Sequence, residues 1–554
     1  MFVLILALLL IPALAASLLL LFAGPSRQGV ARWVALGGTL VTLIVACVLA
    51  QQYYVAAAEV RASAAVDAVT LPVNPPVEFI TPWLTYVGAA TTGDAPAPTF
   101  RLEFRLGLDG ISVAMILLTT VLSTSCVLVS WRSIRGREAE FFVALLFLEA
   151  GLIGVFCAFD LVLFYVFFEF TLVPLFFLIA IWGGPQRRLA AIKFFLYTLA
   201  GSLVTLLGLV MLVSAAAAGG LTTPCSLPAL SAWFREHPLS SEMQTTLLLM
   251  LAAGFLIKVP VFPFHTWLPL AHVEAPTAGS VLLAGVLLKL GTYGFLRLCL
   301  PLLPTACVEV GLPLVAVLSI VGIVYGSLCA LAQRDVKKLV AYSSIAHMGF
   351  CMLGLFALNV EGLTGGVLQM INHGLSTGGL FLLVGMIYDR YHTRMLDDLG
   401  GLAARLPMIA CALVFISMAS IGLPGLNGFV GEFLALAGMF KTHWLYAVLG
   451  ATGVVLGAWY LLTMLQHLLF GPLKEPHHDG AHAPPPDMGL REMLALAPIA
   501  AACLWIGVRP QPLVDSIRPE VEAIAALYAD LNESTAIAER SAAPAALVAS
   551  AKGR

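Results

Sequence analysis

The chain has 554 residues, of which 60% are hydrophobic and only 11% are charged, and its mean hydropathy is +0.97. This composition excludes a soluble globular domain, in which about 25% of residues are charged. The formal net charge of −2 excludes the basic surface of nucleic-acid-binding proteins, so no nucleic-acid partner is expected. The ten cysteines contain no C-x-x-C pair, and we therefore expect no zinc or iron–sulfur site in this chain.

Continuous apolar runs of about 20 residues recur along nearly the whole chain. Each is long enough to cross the roughly 30 Å hydrocarbon core as a helix, and the absence of alternation argues against a β-barrel. The first run lacks the positively charged start of a signal peptide, so it predicts an uncleaved first helix. About fourteen transmembrane helices are predicted, beginning near Met1, Val30, Asp109, Glu140, Leu161, Ala191, Glu242, Ala278, Leu312, Leu339, Gly365, Pro407, Leu445 and Arg491.

Lysine and arginine residues are concentrated in alternate loops. Sixteen of the 29 lie in the loops after the first, third, fifth, ninth, eleventh and thirteenth helices, whereas six lie in the opposite loops. The positive-inside rule predicts that the first set of loops is cytoplasmic and that both termini lie outside. In this count Arg297 belongs to an outer loop, and Lys258 and Lys289 are the only lysine or arginine residues placed inside the membrane.

Two of the predicted helices are interrupted near their middles. The first has Pro260 and Pro263 just after Lys258, and the second has Pro424 and two glycines just before Glu432. The two helices should run in opposite directions, and such a pair of broken helices indicates inverted repeats. Backbone groups freed at each break must be bound by water or side chains, which places polar groups at mid-depth in the membrane.

The predicted fold class is therefore an all-α polytopic membrane protein with two inverted repeats, each containing a broken helix. The long outer loop 51–108 should hold short strands or contact a neighbour. The loop 471–490 contains His477, His478 and His482, for which a metal site is conceivable and a solvated proline-rich loop is the favoured interpretation. The predicted division is 1–108 (two helices and the outer loop), 109–139 (third helix), 140–303 (first repeat), 304–470 (second repeat) and 471–554 (cytoplasmic loop, last helix and tail).

Lys258 and Lys289 stand alone in apolar segments, where a charge costs about 2.5–3.5 kcal/mol on insertion scales. Glu169 and Glu432 are candidate partners of opposite sign. Separating Glu169 from Lys258 would favour release of a proton from the lysine, so a change in their distance could load and unload a proton. The alternative is a static buried ion pair that fixes packing.

The remaining candidates suit a proton relay. Lys289 lies on a helix with no predicted break and could pass protons between the repeats, or it could be fixed by carbonyls and water. His347 and His373 suit a relay because an imidazole ordinarily titrates near neutral pH, although a single buried histidine is more often a packing residue. Glu432 could exchange protons at the outer side, and it could also cap the second half-helix. Sequence alone leaves open the roles of three further residues, Glu149, His265 and His272.

Four motifs resemble the antiporter-like subunits of respiratory complex I over roughly residues 104–470. They are KVPVFPFHTWLPLAHVEAPTAGSVLLAGVLLKLGTYG from Lys258, FYVFFEFTLVPLFFLI around Glu169, RDVKKLVAYSSIAHMGF around His347 and INHGLSTGGLFLLVG around His373. In the segment GLPGLNGFVGEF the resemblance is to the subunit M branch, which has glutamate at the position of Glu432. The sister subunits and the corresponding Mrp antiporter subunit have lysine there. The segment FRLGLDGISV from Phe104 also resembles subunit M.

This resemblance implies fourteen transmembrane helices with two inverted five-helix repeats, in a subunit that pumps protons when quinone is reduced elsewhere. It implies that Glu169 and Lys258 serve the intake half, that Lys289 connects, that His347 and His373 relay, and that Glu432 serves the outer half. The expected partners are protons, the lipid bilayer and other membrane-arm subunits, including two related antiporter-like subunits. No cofactor is expected in this chain, since FMN, iron–sulfur clusters and quinone belong to other subunits.

Three other functions compete with this hypothesis. A cation/proton antiporter subunit of the Mrp type is disfavoured by Glu432. A membrane-bound hydrogenase or ferredoxin-linked subunit would use the same pumping unit with another electron donor, and the sequence hardly separates it from the first hypothesis. A purely structural scaffold is disfavoured by the buried charges. The high alanine and glycine content favours a bacterial chain, and hence the inner (plasma) membrane.

Overall fold

The computed structural model describes residues 1–22, 28–63, 73–87, 99–476 and 485–551 of the chain. His477, His478 and His482, at which a metal site was considered, lie outside these residues. Side chains are described over slightly shorter ranges, and those of α20 below are described up to residue 531.

The N-terminal segment holds two long helices and a β-hairpin. Helix α2 continues well into the region predicted as outer loop, because its apolar and small residues extend the helical pattern. The hairpin strands pair antiparallel, with Val77 opposite Leu108, and they confirm the short strands that the sequence allowed. The bounds are α1 Phe2–Phe22, α2 Gln28–Ser63, β1 Val77–Val87 and β2 Thr99–Leu108.

Two helices of the first half begin at an aspartate N-cap. Asp109 accepts the N–H of Ser112 at 2.9 Å and starts α3, and Asp160 accepts the N–H of Val162 at 2.8 Å and starts α5. The fifth span is interrupted at Thr171, so α5 and α6 form one membrane crossing. The bounds are α3 Gly110–Ser133, α4 Glu138–Cys157, α5 Leu161–Phe170, α6 Leu172–Trp182, α7 Arg187–Ala218 and α8 Leu227–Glu236.

Both predicted breaks are present. The first separates α9 Ser241–Lys258 from α10 Leu268–Glu274, and the second separates α16 Pro407–Ile421 from α17 Asn427–Thr442. At the second break Gly422 and Gly425 have φ angles of 85° and 92°, which favour glycine. The other helices are α11 Thr277–Leu302, α12 Pro304–Leu331, α13 Val336–Leu355, α14 Val360–Tyr391, α15 Leu402–Arg405, α18 Trp444–Leu469, α19 Leu490–Val508 and α20 Gln511–Ala551, with a short 3-10 turn at Leu396–Asp398.

Twelve helices of the described chain are long and apolar enough to cross a membrane. Together with the two broken helices they make fourteen candidate transmembrane segments, as the hydrophobic runs predicted. The chain is thus an all-α polytopic membrane protein with one hairpin. The inverted relation between the two halves stays a prediction.

Helices α11 and α14 form the centre of the bundle. The apolar windows of both are completely buried, whereas only 28% and 33% of the residues in those of the first two helices are buried. A polar side chain on α11 or α14 therefore has no access to lipid, and it must find its partners inside the protein.

Candidate functional site

Lys289 on α11 contacts His373 on α14. The Lys289 ammonium nitrogen lies 2.7 Å from Nδ1 of His373, and it also donates a hydrogen bond to the backbone carbonyl of Ala284. Lys289 is fully buried and His373 is 1% exposed. From the sequence, both residues were assigned to one proton relay, and in the structure they are in direct contact.

A local change in helix geometry helps to hold Lys289. Residues Leu283–Leu287 form a π-helical turn, in which the N–H of Leu288 bonds to the carbonyl of Leu283, five residues back. In an α-helix that N–H would bond to Ala284 instead. The Ala284 carbonyl accepts the ammonium of Lys289, so the turn supplies part of the site. The unbroken helix that the sequence predicted here is present. The π-helical turn within it was not predicted.

His347 on α13 contacts Glu432 on α17. Nδ1 of His347 lies 2.7 Å from Oε1 of Glu432, and Nε2 of Gln369 donates to the same oxygen at 2.8 Å. Both members of the pair are buried, at 5% and 4% exposed. Glu432 is not the cap of its half-helix, because α17 begins at Asn427 and Glu432 lies in its second turn. The capping alternative is therefore wrong, and the carboxyl is held by side chains.

The two pairs meet at the histidine rings. The ring centroids of His347 and His373 are 5.8 Å apart, with a 41° angle between their planes. Lys289, His373, His347 and Glu432 thus form one continuous row of titratable side chains, which we call the central row. Its members come from α11, α14, α13 and α17, so both predicted repeats contribute to it.

Nε2 of His347 lies close to two hydroxyl groups that the sequence did not indicate. The Tyr460 and Ser420 hydroxyls each lie 3.3 Å from Nε2, and Tyr460 also contacts Ser343 at 2.7 Å. The signal available in the sequence was a tyrosine and a glutamine, Gln369, inside otherwise apolar runs.

Lys258 and Glu169 form a second group. The Lys258 ammonium donates to the backbone carbonyl of Phe168 at 2.9 Å and lies 3.2 Å from the centre of the Phe168 ring. Glu169 is the next residue, and its carboxyl interacts electrostatically with Lys258 and the Ser202 hydroxyl. No nitrogen–oxygen contact within 4.0 Å joins the two charges in the described side chains. The two side chains are therefore close to each other without forming a direct ion pair.

Among the described residues, no hydrogen bond links this second group to the central row. The structure therefore brings together four of the six predicted site residues directly and places the other two as neighbours of each other. Helices α9 and α11 do pack closely, since a Cβ at Gly291 would lie 2.7 Å from the Phe255 carbonyl oxygen. The connection between the groups thus passes through tightly packed helices.

None of the three residues with open roles forms a hydrogen bond to the central row among the described residues, although His272 is within electrostatic range of Lys289 and His373. Glu149 is completely buried on α4, and neither carboxyl oxygen has a partner within the described chain. His272 stacks on Phe381 with 4.6 Å between ring centroids, and His265 stacks on Phe262 at 5.6 Å. Stacking holds the two rings in place, but both ring nitrogens of the buried His272 have no partner among the described residues, so the roles of all three residues stay open.

Arg297 corrects the count of intramembrane cations. It lies on α11, is only 1% exposed and forms an ion pair with Asp109, which is 2% exposed. The sequence assigned it to an outer loop because it is close to the helix end. Lys337, assigned to a cytoplasmic loop, is also buried, and its ammonium donates to the Ala275 carbonyl at 2.5 Å. Lys258 and Lys289 are thus not alone as buried cations.

The comparisons with known proteins agree with these features. A family model described as NADH:quinone oxidoreductase/Mrp antiporter, TM matches residues 158–457, more than half of the chain. The chain is 42% identical over 516 residues to NADH-quinone oxidoreductase subunit M of Rhodobacter capsulatus, covering 92% of this chain and 93% of the relative.

Two solved structures are similar to it. A chain of respiratory complex I from Thermus thermophilus has a TM-score of 0.77 at 30% identity, with 95% of this chain and 99% of that one covered. A chain of the Mrp complex from a Dietzia species has a TM-score of 0.75 at 21% identity, with coverage of 95% and 98%, and this likeness concerns the fold alone.

Proposed function

This chain belongs to the family of NADH:quinone oxidoreductase and Mrp antiporter transmembrane subunits, and we propose that it moves protons across the membrane as subunit M of an NADH–quinone oxidoreductase. The likeness to subunit M over nearly the whole chain favours this function over cation/proton antiport, since the similar chain of an Mrp complex is only 21% identical. Glu432 favours the same choice, because in the resemblance described above a glutamate at this position is typical of the subunit M branch.

The central row is the observation that carries the proposal. Four titratable side chains follow one another through the buried centre of the bundle, with 2.7 Å contacts at both ends. Groups of this kind are costly in a membrane and mark ion or proton pathways. A structural scaffold would gain the same packing from apolar residues at lower cost.

The geometry gives each residue a step in proton transfer. The Lys289 ammonium donates to Nδ1 of His373, so passing its proton leaves a neutral lysine and a charged imidazolium. The proton leaves His373 through Nε2 and reaches Nε2 of His347, beside the hydroxyl groups of Tyr460 and Ser420. His347 then releases a proton from Nδ1 to the Glu432 carboxylate, which becomes a neutral carboxyl.

Lys258 and Glu169 are proposed to serve the intake half. Lys258 ends the half-helix α9, where the chain leaves helical geometry. Its ammonium is held by the Phe168 carbonyl and ring, which bind the charged form. Movement of α5 relative to α9 would change this contact and the distance to Glu169 together, which gives a structural means of loading and unloading Lys258.

The chain is proposed to act without a redox site of its own. FMN, iron–sulfur clusters and quinone are assigned to other subunits of the complex, and this chain contributes proton movement to an oxidoreductase. Its proposed partners are the lipid bilayer and neighbouring membrane-arm subunits, including two related antiporter-like subunits. The location that follows is the bacterial inner membrane, with multiple crossings.

Replacement of Lys289 tests the proposal. In membrane vesicles containing the assembled complex, Lys289→Ala should reduce NADH-driven proton translocation several-fold, because the first donor of the central row is lost. Lys338→Ala is the matched control, since Lys338 is exposed on α13, and it should leave pumping unchanged. Wild-type pumping by an assembled Lys289→Ala complex would overturn the proposed function.

A further inference from the structure

A buried polar cluster that the central row does not use lies at the outer ends of α3 and α11. Arg297 pairs with Asp109 and lies over the rings of Phe159 and Tyr293, at 5.2 and 4.9 Å. The Tyr293 hydroxyl donates to the Phe156 carbonyl at 3.1 Å, and it lies 3.1 Å from the Ser112 hydroxyl. We call these side chains, with Glu520 below, the outer cluster.

The C-terminal helix α20 adds a second carboxyl to the outer cluster. Oε1 of Glu520 accepts the backbone N–H of Gly110 at 3.2 Å, at the start of α3. The two segments approach so closely that a Cβ at position 110 would collide with the Ser516 carbonyl oxygen. Further along α20, the Tyr528 hydroxyl donates to the Leu300 carbonyl at 2.7 Å. Glu520 is therefore fixed in place from both sides.

The charges of the outer cluster do not balance when both carboxyls are ionised. Asp109 holds Arg297 directly and also caps α3, whereas Oε2 of Glu520 has no partner in the part of the chain that is described. Burial and the Asp109 carboxylate raise the pKa of Glu520 to about 8, although Arg297 acts in the opposite direction. One guanidinium beside two carboxyls therefore favours a state in which Glu520 keeps its proton.

Other charged groups near α20 do not supply the missing balance. Arg518 and Glu522 of the same helix are about half exposed. Glu361, at the outer end of the packed helix α14, forms an exposed ion pair with Lys441. Glu520 is also 9% exposed, compared with 2% for Asp109 and 1% for Arg297. It is the charged member of the outer cluster with the greatest access to outer water.

We propose that Glu520 is a proton-holding residue at the outer end of this subunit, which stores a proton and releases it to water on the outer side. The inference rests on the proposed function. On release, the O–H bond of the Glu520 carboxyl breaks, the proton passes to a water molecule, and the negative charge stays beside Arg297. The carboxylate is reprotonated from inside the subunit through the hydroxyls of Ser112 and Tyr293, each of which accepts one proton as it passes one on. Tyr293 lies four residues beyond Lys289 on α11.

Infrared spectroscopy of the assembled complex tests the titration of Glu520 directly. The wild-type complex should show the carbonyl absorption of a protonated carboxyl that disappears as the pH rises through about 8. Glu520→Gln should lack this change, because an amide does not titrate. Glu522→Gln, on the exposed side of the same helix, is the matched control and should keep it. If the wild-type complex shows no carboxyl titration in this range, the inference is overturned, whether or not the variant assembles.

Proton translocation gives the functional readout. In vesicles, Glu520→Gln should lower the number of protons released per NADH oxidised, and Glu522→Gln should not. If Glu520→Gln pumps like the wild type while Lys289→Ala does not, this inference fails and the proposed function stands. If Lys289→Ala also pumps normally, the proposed function fails as well.

Discussion

Nδ1 of His347 lies 2.7 Å from Oε1 of Glu432, although the two residues are 85 positions apart in the chain. One comes from the unbroken helix α13 and the other from the half-helix after the second break. A contact of this length between an imidazole nitrogen and a carboxylate oxygen gives a proton a direct path between the two groups. The break in the second half of the chain thus positions an acceptor at the end of the central row.

Glu432→Gln should remove this acceptor with little change in shape. The amide oxygen can still accept the bond from Gln369, but the side chain cannot take up a proton. We expect an assembled complex in which NADH-driven proton translocation falls several-fold. Glu361→Gln is the control, because Glu361 is exposed and paired with Lys441. Normal pumping by the Glu432 variant would remove Glu432 from the pathway.

Lys258→Arg should separate a proton carrier from a fixed charge. Arginine keeps the positive charge over the Phe168 ring but does not release its proton in proteins. If Lys258 only fixes packing, the arginine variant should pump well; if it carries protons, pumping should fall several-fold, and we expect the second result. Lys193→Arg is a suitable control, because Lys193 donates to the Thr266 carbonyl outside both groups. The measurement is proton uptake in vesicles at equal amounts of assembled complex.

Tyr460→Phe should weaken the relay without abolishing it. The change removes the hydroxyl that contacts Ser343 and Nε2 of His347, while the Ser420 hydroxyl at 3.3 Å remains. Loss of one buried hydrogen bond should cost about 1 kcal/mol of stability. Proton translocation should fall less than in Glu432→Gln, and adding Ser420→Ala should lower it further.

The control for this prediction is Tyr325→Phe, since Tyr325 is 38% exposed and contacts no member of the central row. Equal pumping by the double Tyr460 and Ser420 variant and the wild type would show that these hydroxyls take no part.

Much of the fold could be predicted because hydrophobic runs and prolines act locally. A membrane crossing requires about 20 apolar residues, and each run begins within a few residues of the helix found, except the ninth, where α12 starts at Pro304. Pro260 and Pro424 predicted both breaks, since proline removes a backbone donor. His347, His373 and Glu432 were also predicted, because a titratable group in an apolar helix is costly and therefore indicates a functional site.

The rest depends on contacts between distant segments. The ion pair of Arg297 with Asp109 joins residues far apart in sequence, so nothing near Arg297 shows that it is buried. The π-helical turn at Leu283–Leu287 changes the helix without changing its composition. The carbonyl that binds Lys258 is the backbone carbonyl of Phe168. Every residue has such a carbonyl, so the sequence does not show which one is the acceptor. These features follow from packing, which the hydrophobic pattern constrains only loosely.

Asp160 provides a pH-dependent test of how Glu169 is positioned. Its Oδ1 accepts the N–H groups of Val162 and Leu163 at 2.8 and 3.2 Å, at the start of the helix that carries Glu169. Burial raises the pKa of Asp160 to about 6, against the effect of these two bonds. The pKa in the unfolded chain is about 3.9, so folding favours the protonated form. The protonated Asp160 carboxyl therefore stabilises the folded state fully below about pH 4, and this contribution is lost as the pH rises through about 6.

Asp160→Asn should therefore flatten this pH dependence. The amide oxygen can still cap α5 and carries no charge at any pH, so the variant should be at least as stable as the wild type at neutral pH. Asp160→Ala loses the cap and should cost about 1 kcal/mol at every pH. Apparent Tm values of the purified complex at acidic and neutral pH measure both effects. If Asp160→Asn lowers the neutral Tm as much as Asp160→Ala, the ionised carboxylate stabilises the fold and this account of Asp160 is wrong.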